Sequence, residues 1–274
     1  MDHILCLGEA SVEYIAEEKG IKISNASHFD TRIGGEAALC LEFASIGKAS
    51  ALLSKVGNDH FGETIRETLD KGDVDTSALL TDATYNTAVS FISLNNDGSI
   101  YEKNYVTHGA DLNLQENEIT LRALENVSLL HSSSYGILSY NRHYLRLILL
   151  WARKKGIRTS FKLQEELLIN KETRNILINL LPFIDILILS VKQANLLTGL
   201  LSTDFTSEKL MHDFLFEKVL IYDDNRVHLY TAEKHQEMKM DYKERKKFEA
   251  LFLSAIAEGK DDSLLSVAQN VQLF

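Results

Sequence analysis

The stretch IGGEAALCL at residues 33–41, followed by KVGNDHFG at residues 55–62, decides the fold of this chain. The pair Gly34-Gly35 opens a segment with apolar residues at helical spacing, and Gly47 marks its end. In the second stretch, Val56-Gly57 ends an apolar run that is typical of a strand. Paired glycines at a helix start let backbone N–H groups approach a ligand hydroxyl or anion. These stretches predict strand-to-helix turns of an α/β protein, at which a ligand can bind.

The same alternation of short apolar runs and helical segments continues along the chain, as in a parallel sheet covered by helices. The predicted strands are 3–7, 50–55, 127–132, 158–161, 184–189 and 218–222, and the predicted helices are 35–46, 61–69, 142–155 and 208–214.

Two segments depart from this rhythm and predict a small β lid. Residues 14–33 and 87–105 alternate in the manner of antiparallel strands, the second around the turn NNDG at 95–98. No repeat or Pro-rich linker interrupts the sequence. We therefore expect a single domain over 1–274, with the lid formed by these two segments.

Composition limits the partners of the chain. Its 274 residues are 45% hydrophobic, and its formal net charge of -10 disfavours nucleic acid and anionic membrane surfaces. The N-terminus carries no basic leader, and no apolar run is long enough to span a bilayer, so we expect a cytoplasmic protein. Cys6 and Cys40 lie in apolar patterns and are predicted to be buried thiols.

Order and spacing of the two opening stretches resemble the first signature of the ribokinase/PfkB family of carbohydrate kinases. Further segments along nearly the whole chain share the resemblance: 7–9, 72–76, 109–111, 194–199 and 248–259. The resemblance implies a three-layer α/β fold with a mostly parallel central sheet flanked by helices, a small β lid and a sugar substrate.

On the sugar side, the resemblance implies that an Asp after the first strand, the Gly-Gly turn and an Asn hold sugar hydroxyls. These positions are Glu13, Gly34-Gly35 and Leu39 here. Glu13 keeps a carboxylate, whereas Leu39 cannot hydrogen-bond through its side chain. We expect any substrate pocket to be formed by Glu13, Gly34, Gly35 and Asp59.

On the phosphate side, the implied family residues are replaced. The Asp-Pro-Asn element reads Lys162-Leu163-Gln164, and the Asn-x-x-Glu element, which organises magnesium, reads SVKQ at 190–193. The glycine-containing nucleotide turn falls on residues 221–226, which include Asp223 and Asp224 but no glycine. Magnesium prefers anionic oxygen ligands, so a neutral Gln193 disfavours it.

The second family signature, Asp-Thr-x-Gly-Ala-Gly-Asp, combines glycine N–H groups that stabilise phosphate with an Asp that accepts the hydroxyl proton. The corresponding segment, DYKERKK at 241–247, contains no glycine, and Lys246 or Lys247 occupies the base position. Asp241 is the candidate for a displaced base. Family members continue beyond the position of Phe274, so we expect segments that wall the adenine to be missing.

Three hypotheses follow. The first is a catalytically impaired kinase homologue, a pseudokinase without ATP, metal or other cofactor, which binds a sugar or polyol weakly or pairs with another chain. The second is an active kinase that uses ATP and Mg²⁺ to phosphorylate a sugar hydroxyl, with Asp241 as base. The third is a decaying gene product without a selected role. The exposed edges of the lid allow a homodimer or a heterodimer.

Overall fold

The structure is a computed structural model that describes residues 3–107, 109–139, 142–163, 170–200 and 203–271. Gln164 lies outside the described residues, so of the predicted element at 162–164 only Lys162 and Leu163 are described. By their contacts the residues divide into two compact units, Met1–Leu5 with Ile119–Phe274, and Cys6–Glu118. The assignment of 1–274 to one domain stays a prediction.

The strands and helices of the described residues are numbered in chain order. The strands are β1 His3–Leu7, β2 Ala10–Ala16, β3 Phe29–Gly34, β4 Ser50–Gly57, β5 Leu79–Asp82, β6 Ala88–Leu94, β7 Ile100–Thr107, β8 Val127–Ser133, β9 Arg158–Lys162, β10 Ile186–Ser190, β11 Lys218–Tyr222, β12 Arg226–Tyr230 and β13 His235–Lys239. The helices are α1 Gly35–Ser45, α2 His60–Lys71, α3 His143–Lys154, α4 Lys171–Leu180, α5 Val191–Thr198, α6 Thr203–Phe214, α7 Arg245–Ala257 and α8 Leu264–Val271.

The unit that contains residues 119–274 is built on a mostly parallel sheet. Its strands run in the order β13-β12-β11-β10-β9-β8-β1. Strands β8 to β11 pair in parallel, and β12 and β13 continue the sheet as an antiparallel hairpin. Residues 186–189 of β10 are all buried and apolar, because a parallel strand covered on both faces needs a continuous apolar run rather than an alternating one.

The unit that contains residues 6–118 combines two kinds of sheet. Strand β4 pairs in parallel with β5, and helices α1 and α2 pack on β4. The predicted lid segments lie in a separate four-stranded sheet in the order β3-β2-β6-β7, which begins earlier than predicted, at Ala10. The two outer pairs are antiparallel as expected, whereas the central pair of β2 and β6 is parallel. The turn predicted at 95–98 joins β6 to β7, with the Gly98 N–H bonded to the Asn95 carbonyl.

The lid sheet carries different chemistry on its two faces, because side chains alternate along a strand. Glu13 on β2 lies beside Arg32 on β3, and both belong to the charged face. Tyr14 belongs to the opposite, aromatic face, where its ring stacks on Phe91 with centroids 5.1 Å apart. Phe29 packs edge-on against the same Phe91 ring.

Cys6 and Cys40 are both buried and are not joined in a disulfide, in agreement with the prediction of buried thiols. Across the described parts of the chain, no helix has the length and apolar character needed to cross a bilayer.

Candidate functional site

Glu13 is a buried acid in a cluster of charges on the charged face of the lid sheet. Its carboxylate binds Lys103 Nζ at 3.0 Å through Oε1 and Arg32 Nε at 3.0 Å through Oε2. Burial alone would raise the pKa of Glu13, but the two cations outweigh it and hold that pKa below its usual value. Glu13 is therefore an ionised acceptor of hydrogen bonds.

Gly34 and Gly35 stand directly against the carboxylates of β2 and the segment before it. A Cβ at Gly34 would lie 2.6 Å from Glu13 Cδ, and a Cβ at Gly35 would lie 2.5 Å from the Glu9 carbonyl oxygen. Gly35 has a φ of +64°, a conformation that glycine adopts without strain. The glycine pair thus allows helix α1 to start in contact with Glu9 and Glu13.

Glu9 is a member of this cluster that the sequence did not single out as a site residue. Its Oε1 accepts a hydrogen bond from Ser11 Oγ at 2.7 Å and lies 3.5 Å from Lys103 Nζ, while Tyr105 OH lies 3.5 Å from Oε2. Burial raises the pKa of Glu9, and the Lys103 charge and the Ser11 hydroxyl only partly oppose it. The pKa of Tyr105 is raised by burial and by the negative charge of Glu9.

Lys103 reaches this cluster from β7, which lies two strands away from β2 in the lid. Burial would lower its pKa, but Glu9 and Glu13 outweigh burial and raise it. Its position could not be read from the sequence, because no local pattern shows which residue of β7 stands beside Glu13. The alternation within 87–105 predicts a strand there, but it does not show which residue of that strand faces Glu13.

Asp59 belongs to a different environment from Glu13. Its carboxylate caps helix α2 by accepting from Gly62 N at 2.9 Å, and it also accepts from Thr87 N and Thr87 Oγ1, each at 2.8 Å. Burial would raise the pKa of Asp59, but these hydrogen bonds lower it. Asp59 lines a cavity of about 530 Å³ with Tyr14 and Phe91 of the aromatic face.

The structure therefore brings Glu13, Gly34 and Gly35 together and places Asp59 with the aromatic face of the lid. Leu39, at the position of the family's Asn, is buried in α1 with 6% of its surface exposed. It contributes to the apolar core.

In the other unit, the backbone N–H groups that lead into α7 donate hydrogen bonds to acceptors in the same segment. The N–H of Lys243 donates to Asp241 Oδ1 at 2.9 Å, that of Glu244 to the Asp241 carbonyl at 3.1 Å, and that of Arg245 to the Tyr242 carbonyl. Asp241, the candidate displaced base, is thus the exposed cap of a short 3₁₀ turn. Lys246 is exposed and Lys247 is half-buried in the first turn of α7.

Arg245 joins the start of α7 to the turn between β11 and β12. Its Nη2 donates to the backbone carbonyl of Asp224 at 2.8 Å and also to that of Asp223. The guanidinium lies over the rings of Tyr222 and Tyr242, 5.1 and 4.9 Å from their centroids. At the family's nucleotide-binding position, the backbone carbonyls of the turn are therefore bound by the Arg245 side chain.

Gln193, at the position of the family's Glu, completes the N-terminus of α5. Its Oε1 accepts from Ser190 N at 2.7 Å, while Ser190 Oγ accepts from Gln193 N at 3.2 Å, which is a reciprocal capping box. Its Nε2 donates to the Leu163 carbonyl at 3.1 Å. Both polar atoms of the Gln193 amide are therefore hydrogen-bonded to backbone groups of this chain.

Lys162, at the position of the family's Asp, is paired with a buried acid. Lys162 Nζ lies 2.7 Å from Glu249 Oε2, and Glu249 Oε1 lies 4.0 Å from His131 Nε2. His131 Nδ1 is 2.7 Å from Ser160 Oγ. Burial lowers the pKa of His131 to about 4, although the Glu249 charge opposes this. His131 is thus neutral at pH 7 and part of the interior.

Comparison with known proteins supports the carbohydrate kinase class that the sequence resembles. A model of the pfkB family carbohydrate kinases matches residues 1–240. The solved structure of a PfkB protein from Polaromonas sp. JS666 superposes with a TM-score of 0.82 at 19% identity, covering 96% of this chain and 91% of that one. A Halothermothrix orenii fructokinase gives a TM-score of 0.76 at 18% identity, covering 99% of this chain and 96% of that one. The predicted ribokinase-like α/β fold, with a large central sheet flanked by helices, is confirmed.

The chain belongs to the pfkB family of carbohydrate kinases. Among its curated relatives, the probable fructokinase-2 of Arabidopsis thaliana is 25% identical over 240 residues, which cover 85% of this chain and 72% of the relative. The probable chloroplastic fructokinase-6 of the same plant is 26% identical over 138 residues, and this match spans only 36% of that relative's length.

Proposed function

We propose that this family member is a pseudokinase, which binds a sugar or small polyol and pairs with another chain but does not transfer phosphate. The observation that carries the proposal is the 3₁₀ turn that leads into α7, where the backbone N–H groups of residues 243–245 all donate within the chain. A phosphate bound at a helix start needs such donors. With lysine at the base position, both components of the transfer site are replaced.

The residues at the nucleotide and metal positions also do not fit Mg²⁺-ATP. Gln193 offers no anionic oxygen, and its amide is already engaged at both atoms. Arg245 binds the carbonyls of the turn at Asp223 and Asp224. These two residues line a cavity of about 570 Å³ together with Lys192, and their negative charges disfavour a polyphosphate there.

The charged face of the lid supports retained polyol binding. Glu13 and Glu9 offer carboxylate oxygens, and Lys103 offers an ammonium group between them. Ser90, which pairs with Glu13 in the ladder, is buried, and its hydroxyl has no hydrogen-bond partner among the described residues. A polyol presents hydroxyls that both donate and accept, so it complements this mixture of groups.

Pairing with a second copy of the chain is supported by the lid. Strands β3 and β7 are the edges of its sheet, and three of the six residues of β3 are exposed. The aromatic face bearing Tyr14, Phe29 and Phe91 is only half-buried. An open edge beside such a face is suited to strand addition or face packing by another chain.

Phosphate transfer is tested by incubating the purified chain with Mg²⁺-ATP and a panel of sugars that includes fructose, and following ADP release. The pseudokinase proposal expects no release above that of a sugar-free control. Sugar-dependent release that disappears in D241N would instead establish the active kinase with a displaced base. Calorimetric titration with Mg²⁺-ATP gives a second measurement, in which tight magnesium-dependent binding contradicts the proposal.

Polyol binding is tested by calorimetric titration of the same sugar panel into the wild type, E13Q and E17Q. Glu17 follows β2 and is exposed, so E17Q is the matched control. We expect at least one sugar to bind the wild type and E17Q, with binding at least about tenfold weaker in E13Q, since a charge-assisted hydrogen bond is worth about 1.5–3 kcal/mol. Equal affinity in all three chains would show that Glu13 does not take part in sugar binding.

Pairing is tested by light scattering over a range of protein concentrations, with F91E placing a charge on the aromatic face. The proposal expects a dimer for the wild type and a monomer for F91E. A wild-type chain that stays monomeric at all concentrations would exclude the homodimer. Co-purification with an active relative would then be the measurement for a heterodimer.

A further inference from the structure

A small group of metal-ligating side chains lies on the β12–β13 hairpin, outside the positions that the family resemblance singles out. His228 on β12 stands opposite Glu237 on β13, and Tyr230 stands opposite His235. Because side chains two residues apart on a strand share a face, His228, His235 and Glu237 all project from one face of the hairpin. Their ligand atoms lie within 4.8 Å of one another.

The distances between these atoms suit a small metal ion. His228 Nδ1 is 3.2 Å from His235 Nε2 and 3.5 Å from Glu237 Oε2. In a tetrahedral zinc site, metal–ligand bonds of about 2.0–2.1 Å place neighbouring ligand atoms about 3.3 Å apart. We propose that His228, His235 and Glu237 form a binding site for a divalent transition-metal ion of the zinc type.

Neighbouring side chains already hold the ligands in this arrangement. The His235 ring is stacked on Tyr230, with centroids 4.2 Å apart and planes 3° apart. Arg226 Nη1 binds Glu237 Oε1 at 3.1 Å, which leaves Oε2 as the atom that faces His228. Outer contacts of this kind orient the ligands of metal sites.

The chemistry of the ligands selects the metal. Two imidazoles and one carboxylate suit Zn²⁺, Cu²⁺ or Ni²⁺, whereas Mg²⁺ and Ca²⁺ prefer oxygen alone. Three protein ligands leave a fourth position for water. Two neutral imidazoles that face each other share one proton, so binding requires that proton to move to the outer nitrogen of the ring that holds it.

The experiment titrates Zn²⁺ into the untagged full chain in competition with a chromophoric chelator. The variants are H235A and E237Q, whose residues are exposed, so both are expected to fold. The matched control is H60A, because His60 is an exposed histidine 3.6 Å from the carboxylate of Glu63. Thermal denaturation of each chain with and without Zn²⁺ provides the second measurement.

We expect one Zn²⁺ per chain for the wild type and H60A, and affinity at least about tenfold lower in H235A and in E237Q, as loss of even an outer-shell partner costs tenfold or more. Zn²⁺ should raise the melting temperature of the wild type and H60A but not that of H235A. Wild-type affinity in H235A and E237Q, or an equal loss in H60A, would overturn the proposal, as would a wild type that binds no Zn²⁺.

Discussion

Glu249 Oε2 lies 2.7 Å from Lys162 Nζ, and this pair joins the first turns of helix α7 to the end of strand β9. The two side chains differ in exposure: that of Glu249 is 2% exposed and that of Lys162 is 45% exposed. Glu249 Oε1 has no hydrogen-bond partner in the described part of the chain. The lysine is thus the cation that balances a buried carboxylate, so its removal should cost stability.

Replacing Lys162 with methionine keeps the aliphatic stem but leaves the Glu249 charge buried without its cation. We expect K162M to lower the free energy of unfolding by about 2 kcal/mol, less than the 3–5 kcal/mol of a fully buried pair because Lys162 is partly solvated. Urea denaturation followed by circular dichroism measures the change. The double variant K162M/E249L should recover most of it, because no buried charge remains. K209A, which breaks an exposed pair with Asp213, is the control and should leave the urea denaturation curve almost unchanged.

His131 should make stability depend on pH. Burial lowers its pKa from 6.5 to about 4, so between these values the unfolded chain binds a proton that the folded chain does not. Its contribution to stability is therefore complete above pH 6.5 and is lost as the pH falls towards 4, at up to about 1.4 kcal/mol per pH unit. The difference between urea denaturation curves of the wild type and H131Q at pH 7, 6 and 5 isolates this slope. H60Q should keep the wild-type slope, and parallel dependence in the wild type and H131Q would contradict the assignment.

Asp59 should act as a helix cap that also holds Thr87. D59A removes the bond to Gly62 N and both bonds to Thr87, so we expect a loss of about 1–2 kcal/mol in the free energy of unfolding. Thermal denaturation monitored by circular dichroism checks it. D261A, which removes the hydrogen bonds from an exposed Asp to Ser263, should leave the melting temperature close to that of the wild type. Equal losses in the two variants would argue against the capping role.

Gly35 and Gly47 have similar backbone conformations but different surroundings, so together they separate strain from close packing. Their φ values are +64° and +71°, yet a Cβ at Gly35 would meet the Glu9 carbonyl oxygen at 2.5 Å, whereas one at Gly47 would meet nothing within 4 Å. We expect G47A to cost about 1 kcal/mol from strain and G35A about 2–4 kcal/mol from strain and overpacking. Chemical denaturation of both variants measures the two losses of stability. Equal losses in G35A and G47A would mean that Gly35 is needed only for its φ.

Sequence reasoning reached the regular parts of the fold because their apolar patterns are strong. Strands 3–7 and 218–222 occur with the predicted bounds, and the predicted helix 35–46 is observed as Gly35–Ser45. The hairpin of β12 and β13 was not predicted. Strand β13 reads HQEMK, with every second residue exposed and little apolar content, so it has the pattern of a solvated edge strand and gives a weak signal.

The candidate site was predictable only where it depends on local sequence. The pair Gly34-Gly35 follows directly from the turn that opens α1, whereas Glu13 on β2 follows from the family resemblance, and the structure brings the three together. The separation of Asp59 from them could not be predicted, because it depends on the pairing of β2 with β6, which brings Thr87 to the N-terminus of α2. Likewise, the pairing of Lys162 with Glu249 joins residues 87 positions apart.

Strand β2 carries Glu13 towards the charged face of the lid and Tyr14 towards the aromatic face. Since this alternation has a period of two, deleting or inserting one residue within 10–16 would exchange the faces of every side chain beyond that point. A carboxylate would then enter the aromatic layer, and a tyrosine would enter the ion-pair cluster. This segment should therefore tolerate many single substitutions more readily than the gain or loss of one residue.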